Sequence, residues 1–249
     1  MYLGWTLGLS RRGLTEDLQR HVLEEIGLQD FTVVFQPIVD LRTYKLFAYE
    51  ALLRSSDMRF TGPPHVFQQA ITAEVCGELG RVVREVAVET CREFSLFLNV
   101  HPAEFDDGWM VRPDDPIFKH EHAVYLEITE SVPMSHEDHC RGTLDEIRGK
   151  GIFIAIDDLG AGYSNLKYIA DLKPEIVKLD RSLITRMDED ERLFRLTHGV
   201  IRLARDLDAQ VVAEGIETEG ELAAVRQAGA DYGQGYRIAR PAFPPPLVL

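Results

Sequence analysis

Residues 151–180 read GIFIAIDDLGAGYSNLKYIADLKPEIVKLD, and the fold turns on this stretch. Ile152–Ile156 is an apolar run closed by Asp157 and Asp158. Ser164–Leu172 has helical spacing, and Ile176–Leu179 is a second apolar run closed by Asp180. Two short apolar runs joined by a helix predict a parallel βαβ unit, since parallel neighbours need a crossover of about a dozen residues or more. Outward from it the pattern repeats. Further strands are predicted at Thr32–Phe35, Phe47–Leu53, Ser95–Val100, Ala123–Ile128 and Gln210–Ala213. Helical spacing covers Pro64–Leu79, Arg81–Phe94, His136–Arg148, Glu191–Leu207 and Glu219–Ala228.

Seven or eight such units in 249 residues point to α/β class and a closed (β/α)8 TIM-like barrel. Only Val39–Lys45 separates the first two strands, too little for a crossover, so an antiparallel first strand pair is expected. Leu14–Ile26 reads as a helix outside the barrel. Residues 1–30 are therefore set apart from a domain over 31–249, whose end, Pro244–Pro246, reads as an extended tail.

Bulk properties narrow the function. A net charge of -14 argues against duplex nucleic acid, which needs a basic footprint. An acidic protein binds a small phosphate ligand when metal ions invert the local field. No apolar window has the roughly 18 residues of a membrane span. The early arginines, Arg11 and Arg12, follow the apolar Met1–Ser10 instead of preceding it, against a secretory signal, so a cytoplasmic location without membrane insertion is expected. Cys76, Cys91 and Cys140 form no paired spacing and read as small hydrophobes.

The acids carry the chemistry. Barrel active sites lie at the C-terminal ends of the strands. Here FAYEALLR offers Glu50, LFLNV Asn99, VYLEITE Glu127, IFIAIDD Asp157 and Asp158, EIVKLD Lys178 and Asp180, and VVAEGIE Glu214 and Glu217. Inward carboxylates are costly unless paired or metal-bound. Oxygen donors without histidine or cysteine suit Mg²⁺ or Mn²⁺. Adjacent aspartates suit a two-metal site for phosphodiester hydrolysis.

The same blocks resemble the EAL domain family. FQPIVDLRTYKLFAYEALLR (35–54), LNVHP, LEITES, IAIDDLGAGYSNL, PEIVKLDRSLI, VVAEGIET and GADYGQGYRIARP follow in family order, over about Phe31 to Pro241. The resemblance implies a cyclic di-GMP (c-di-GMP) phosphodiesterase that releases linear pGpG with two Mg²⁺ or Mn²⁺ ions. Glu50, Asn99, Glu127 and Asp157 would hold one ion. Asp157 would bridge to the second, completed by Asp158 and by Glu214, directly or through water. Lys178 would position the attacking water. Gln36, Leu53, Arg54, Asp180, Glu217 and Gln234 would meet substrate or support the residues that do, Arg54 at a phosphate. Glu130 would anchor the 158–165 loop, beside which the family forms homodimers.

Departures from the pattern are Leu159 and Ala161, where the family has Phe and Thr, and a shortened stretch after Arg54. They leave open a second reading, a catalytically weak EAL-type receptor for c-di-GMP, and behind it an unrelated metal-dependent barrel enzyme. Two look-alikes fall away. IAIDDLGAGYSN lacks the third glycine of a dinucleotide fold and puts two aspartates where pyrophosphate would sit. SHEDHC (135–140) reads as a capped helix start, not a metal cluster.

Overall fold

The structure is a computed structural model and describes residues 17–28, 30–55, 57–105, 108–129, 137–161 and 167–247. Eight strands close into one barrel in chain order. They are β1 (Phe31–Asp40), β2 (Leu46–Ser55), β3 (Leu96–Asn99), β4 (Val124–Thr129), β5 (Phe153–Leu159), β6 (Ile176–Leu179), β7 (Gln210–Ala213) and β8 (Tyr232–Gly233). β1 is antiparallel to both neighbours, pairing Gln36 with Glu50 of β2 and Val39 with Gly233 of β8. Every other pair is parallel. This is the (β/α)8 TIM-like barrel with an antiparallel first pair that the spacing predicted.

Helix α1 covers residues 17–26. It is followed by α2 (Pro63–Thr72), α3 (Cys76–Thr90), α4 (Glu137–Gly149), α5 (Lys167–Leu172), α6 (Arg181–Ile184), α7 (Glu191–Asp206) and α8 (Glu219–Ala228). The α2–α3 break lies at Ala73–Val75, not at Gly80 as the spacing suggested, and Glu74 makes the turn with a left-handed φ of 60°. Gly80 sits inside α3 because something packs where its side chain would be: a Cβ there would lie 1.8 Å from Glu104 Oε2. Several strands outrun their apolar signal, β1 most of all, from the expected Thr32–Phe35 to Phe31–Asp40. β5 continues to Leu159, and β8, only two residues long, was not foreseen as a strand. Val22 and Ile26 of α1 join the core between strands and helices, and Tyr49 Oη donates to Pro246 O in the tail at 2.8 Å. Cys76 and Cys91 are buried.

The two-residue pleat sorts the strand side chains into two cores. Leu98, Leu126, Ile154, Val177, Val211 and Ala213 face the helices. Ile38, Ala48, Phe97, Tyr125, Ala155, Ile176, Val212 and Tyr232, one from each strand, meet inside the barrel. Aromatic rings bind this inner layer together, Phe47 stacking on Tyr232 at 3.8 Å and Phe97 on Tyr125 at 4.4 Å. It forms an apolar floor.

Candidate active site

One pleat above the floor, each strand presents a polar side chain. Two residues on from the floor residue stand Glu50, Asn99, Glu127, Asp157, Lys178, Glu214 and Gln234; on β1, which runs the other way, two residues back stands Gln36. The sequence-predicted set is thereby gathered into one ring at the C-terminal end of the barrel.

Asp158 joins the ring by a different device. A regular strand would turn it away from Asp157. Between Ile156 and Leu159 the register against β6 slips: Ile156 pairs with Val177 and Leu159 with Leu179, leaving one extra residue in β5. This bulge, with Asp158 at a left-handed φ of 58°, allows both aspartates to serve the same side. Oxygens of Asp157, Asp158 and Glu214 all lie within 4.8 Å of one another.

Lys178 stands fully buried among the acids. Its Nζ lies 2.7 Å from Glu214, 3.0 Å from Asp157 and 3.5 Å from Glu50, and it also contacts Glu127. Asn99 Nδ2 donates to Glu50 at 3.3 Å, Gln234 Nε2 donates to Glu50 and Gln36, and Gln36 Nε2 donates to Ala239 O at 3.0 Å. The cluster is not self-sufficient. Glu127 Oε1, Asp157 Oδ1 and Lys178 Nζ are buried in ion-pair contact without an aligned hydrogen bond, and Glu127 Oε2 is buried with no hydrogen-bond partner.

The titration behaviour follows. Burial, then the neighbouring Glu50 charge, pushes Glu127 well above the usual carboxylate range against the pull of Lys178. Burial raises Glu214 likewise. Burial and Asp157 push Asp158 up to about 6. Burial alone would lower Lys178, but Asp157, Glu127, Glu214 and Glu50 outweigh it and keep it protonated. Five acids face one ammonium, so the site carries excess negative charge in a low-dielectric setting. Oxygen-only donors with unmet lone pairs fit hard divalent cations.

The remaining predicted residues divide. Arg54 is half-buried on the ring's side of β2, with Nη1 donating to Leu53 O at 2.8 Å. Leu53 is a correction: the pleat turns its side chain into the helix-facing core, so it does not line the mouth. Asp180 caps α6 through Ser182 N, and Glu217 is exposed, 3.9 Å from Arg181. Glu130 and positions 162–165 of the loop lie outside the described residues, as does the start of the SHEDHC segment. Two residues passed over in the sequence follow Gln234 in the chain and contact each other. Tyr236 is half exposed two positions after Gln234, with the Arg240 guanidinium 4.1 Å over its ring.

Comparison with known proteins agrees with this architecture. The EAL domain profile matches residues 16–241. The chain is 32% identical over 238 residues to a cyclic di-GMP phosphodiesterase of Pseudomonas aeruginosa, covering 90% of this chain and 40% of that protein. An uncharacterized protein of Azorhizobium caulinodans is 32% identical over 83% of this chain, which spans 30% of it. The chain thus spans less than half the length of these curated relatives. Among solved structures, BlrP1 of Klebsiella pneumoniae in its manganese/cy-diGMP complex at pH 6 superposes with a TM-score of 0.74 at 28% identity, covering 86% of this chain and 56% of that one. The profile, the closed barrel and the polar ring agree, and the chain belongs to the EAL domain family.

Proposed function

We propose that this chain is a metal-dependent phosphodiesterase that binds c-di-GMP and hydrolyses one of its two phosphodiester bonds to give linear pGpG. The observation that carries the reading is the ring itself: acids and amides converge on a buried cluster whose oxygens are not satisfied by the one lysine present. The curated relative named as a cyclic di-GMP phosphodiesterase, and the neighbour that holds manganese with cy-diGMP, support the same chemistry.

In this reading Glu50, Asn99, Glu127, Asp157 and Asp158 would hold two Mg²⁺ or Mn²⁺ ions, with Glu214 completing the set directly or through water. Bound there, such ions would supply Lewis acidity toward the phosphate and acidify the attacking water. The chain's own residues do the rest. Lys178, held protonated by its acids, offers fixed positive charge to the water and to charge developing on phosphorus. Arg54 meets a phosphate oxygen from the rim, and Gln36, Gln234, Asp180 and Glu217 contact or support the nucleotide. The water oxygen bonds to phosphorus as the ribose ester oxygen leaves, and that oxygen takes up a proton. The same reading has the protein act in the cytoplasm, as a homodimer through the surface next to the 158–165 loop, with Glu130 anchoring that loop. No helix among the described residues is long and apolar enough to cross a membrane.

The test is to incubate purified protein with c-di-GMP and Mg²⁺ or Mn²⁺, with a chelator control, and follow pGpG by chromatography. Metal-dependent pGpG is expected. Tight binding without product would replace this reading with that of a c-di-GMP receptor. Sedimentation velocity reports the dimer.

A further inference from the structure

Of the parallel crossovers, the one from β3 to β4 is the exception. Among the described residues of Val100–Ala123 there is no α-helix, only short 3-10 turns at Pro102–Glu104, Trp109–Val111 and Pro116–Lys119. A connection of this length without packed helix of its own needs another means of fixing its path. It also begins directly after Asn99, the exposed member of the ring, whose one side-chain hydrogen bond among the described residues, to Glu50, is long at 3.3 Å. Burial does not aim Asn99. Its backbone does.

What fixes that backbone is a second buried ion cluster. Arg84 of α3, Glu104 of the first turn and Asp115 before the third are each no more than 1% exposed. Arg84 grips Asp115 through Nη2 at 2.8 Å and Nε at 3.2 Å, and contacts Glu104 through Nη1. The other Glu104 oxygen accepts the His101 backbone N–H at 2.9 Å, two residues from Asn99. Asp115 accepts Ile117 N at 3.2 Å, so one guanidinium ties the first and third turns of the connection to α3. Phe67 of α2 stacks on the His101 ring at 5.6 Å, and Val100 N donates to Glu127 O at 3.0 Å. Gly80, one turn before Arg84, leaves the space that Glu104 occupies.

Stability alone does not account for such a cluster, because well-packed apolar residues often serve a core as well as or better than a buried ion triad. We propose that Arg84, Glu104 and Asp115 are positioning residues: they lock the turn after β3 and thereby aim Asn99 at the first divalent cation. The inference rests on the two-cation reading above and assigns to residues remote from the ring a role in cation affinity.

The experiment is calorimetric titration of the full chain with Mn²⁺, paired with metal-free melting curves. Gly80→Ala displaces Glu104 without removing a charge, and the Arg84→Met/Glu104→Gln/Asp115→Asn triple variant removes all three charges of the cluster together, leaving no buried charge unpaired. Each is expected to weaken Mn²⁺ binding by about 10–100-fold, as loss of outer-shell support does. In an Asn99→Ala background, adding Gly80→Ala or the triple change is expected to alter affinity by less than about twofold, since residues acting through one contact are not additive. If Gly80→Ala fails to fold, the triple variant carries the same cycle. Unaltered Mn²⁺ affinity in the folded variants, or full additivity with Asn99→Ala, overturns the inference alone. A wild-type chain that binds no Mn²⁺ overturns the two-cation reading and this inference together.

Discussion

Two buried cations organise acids in this barrel, and they do so in opposite ways. Arg84 holds Glu104 and Asp115, and each of those carboxylates also accepts a backbone N–H, from His101 and Ile117. Lys178 faces Glu50, Glu127, Asp157 and Glu214, and there four buried atoms of Glu127, Asp157 and Lys178 lack hydrogen-bond partners. Burial raises Glu104 too, but Arg84 and the His101 N–H pull it back. For Glu127, burial is reinforced by two further acids. Burial does not distinguish a strut from a site here. The difference lies in charge balance and in whether every lone pair is met, because unmet buried acid is costly and invites another cation.

Single changes should separate the two clusters sharply. The largest effect is expected for Glu50→Ala, with turnover falling by about a thousandfold or more, the several kcal/mol that a bound cation contributes to the transition state. Saturating Mn²⁺ should not restore it, whereas it should restore the neutral Arg84→Met/Glu104→Gln/Asp115→Asn variant; chromatography of pGpG reads both. Equal rescue of the two would erase the distinction drawn above.

Next, Arg84→Met leaves two buried acids without their partner and is expected to cost about 3–5 kcal/mol in urea unfolding. Mn²⁺ should not diminish that difference from wild type. A smaller effect is expected for Lys178→Ala, where turnover drops by about a hundredfold while calorimetry still finds Mn²⁺ bound, because cations take over the neutralisation that lysine supplied. Lost binding in that variant would make Lys178 a strut like Arg84.

The smallest effect is on pH. Asp158, Glu127 and Glu214 all titrate above the ordinary carboxylate range, Asp158 at about 6. Without metal, the folded state therefore holds protons that the unfolded chain releases near pH 4. Their stabilising contribution is complete below that value and lost as pH rises through about 6 and beyond. Metal-free protein is expected to melt a few degrees lower at pH 7.5 than at pH 5 by calorimetry. Mn²⁺ should raise the melting point more at pH 7.5, since it binds deprotonated carboxylates. An upward metal-free trend over that interval would contradict the excess of acid assigned to the ring.

Much of this was legible before any coordinates. Local rules were enough to read the βαβ period, the hairpin around Val39–Lys45 and the acids that close successive strands. They do not reach what depends on two strands meeting. The Asp157–Asp158 pair suggested shared ligation, but a bulge is a mismatch between β5 and β6, visible only once Ile156 and Leu159 are paired. Tyr232–Gly233 is too short to show a period and becomes a strand by closing the barrel between β7 and β1. The Arg84 cluster joins residues 20 and 31 positions apart across a helix and two turns. Its nearest local sign was His101 followed three residues later by Glu104, the spacing of a capping box.

The aromatic floor has a consequence for traffic. Phe97, Tyr125 and Tyr232 pack across the barrel beneath the ring, so Lys178 is reached from the C-terminal end of the strands and not through the barrel's floor. Under the proposed function, product departure and substrate arrival would share that one side, so they would have to alternate.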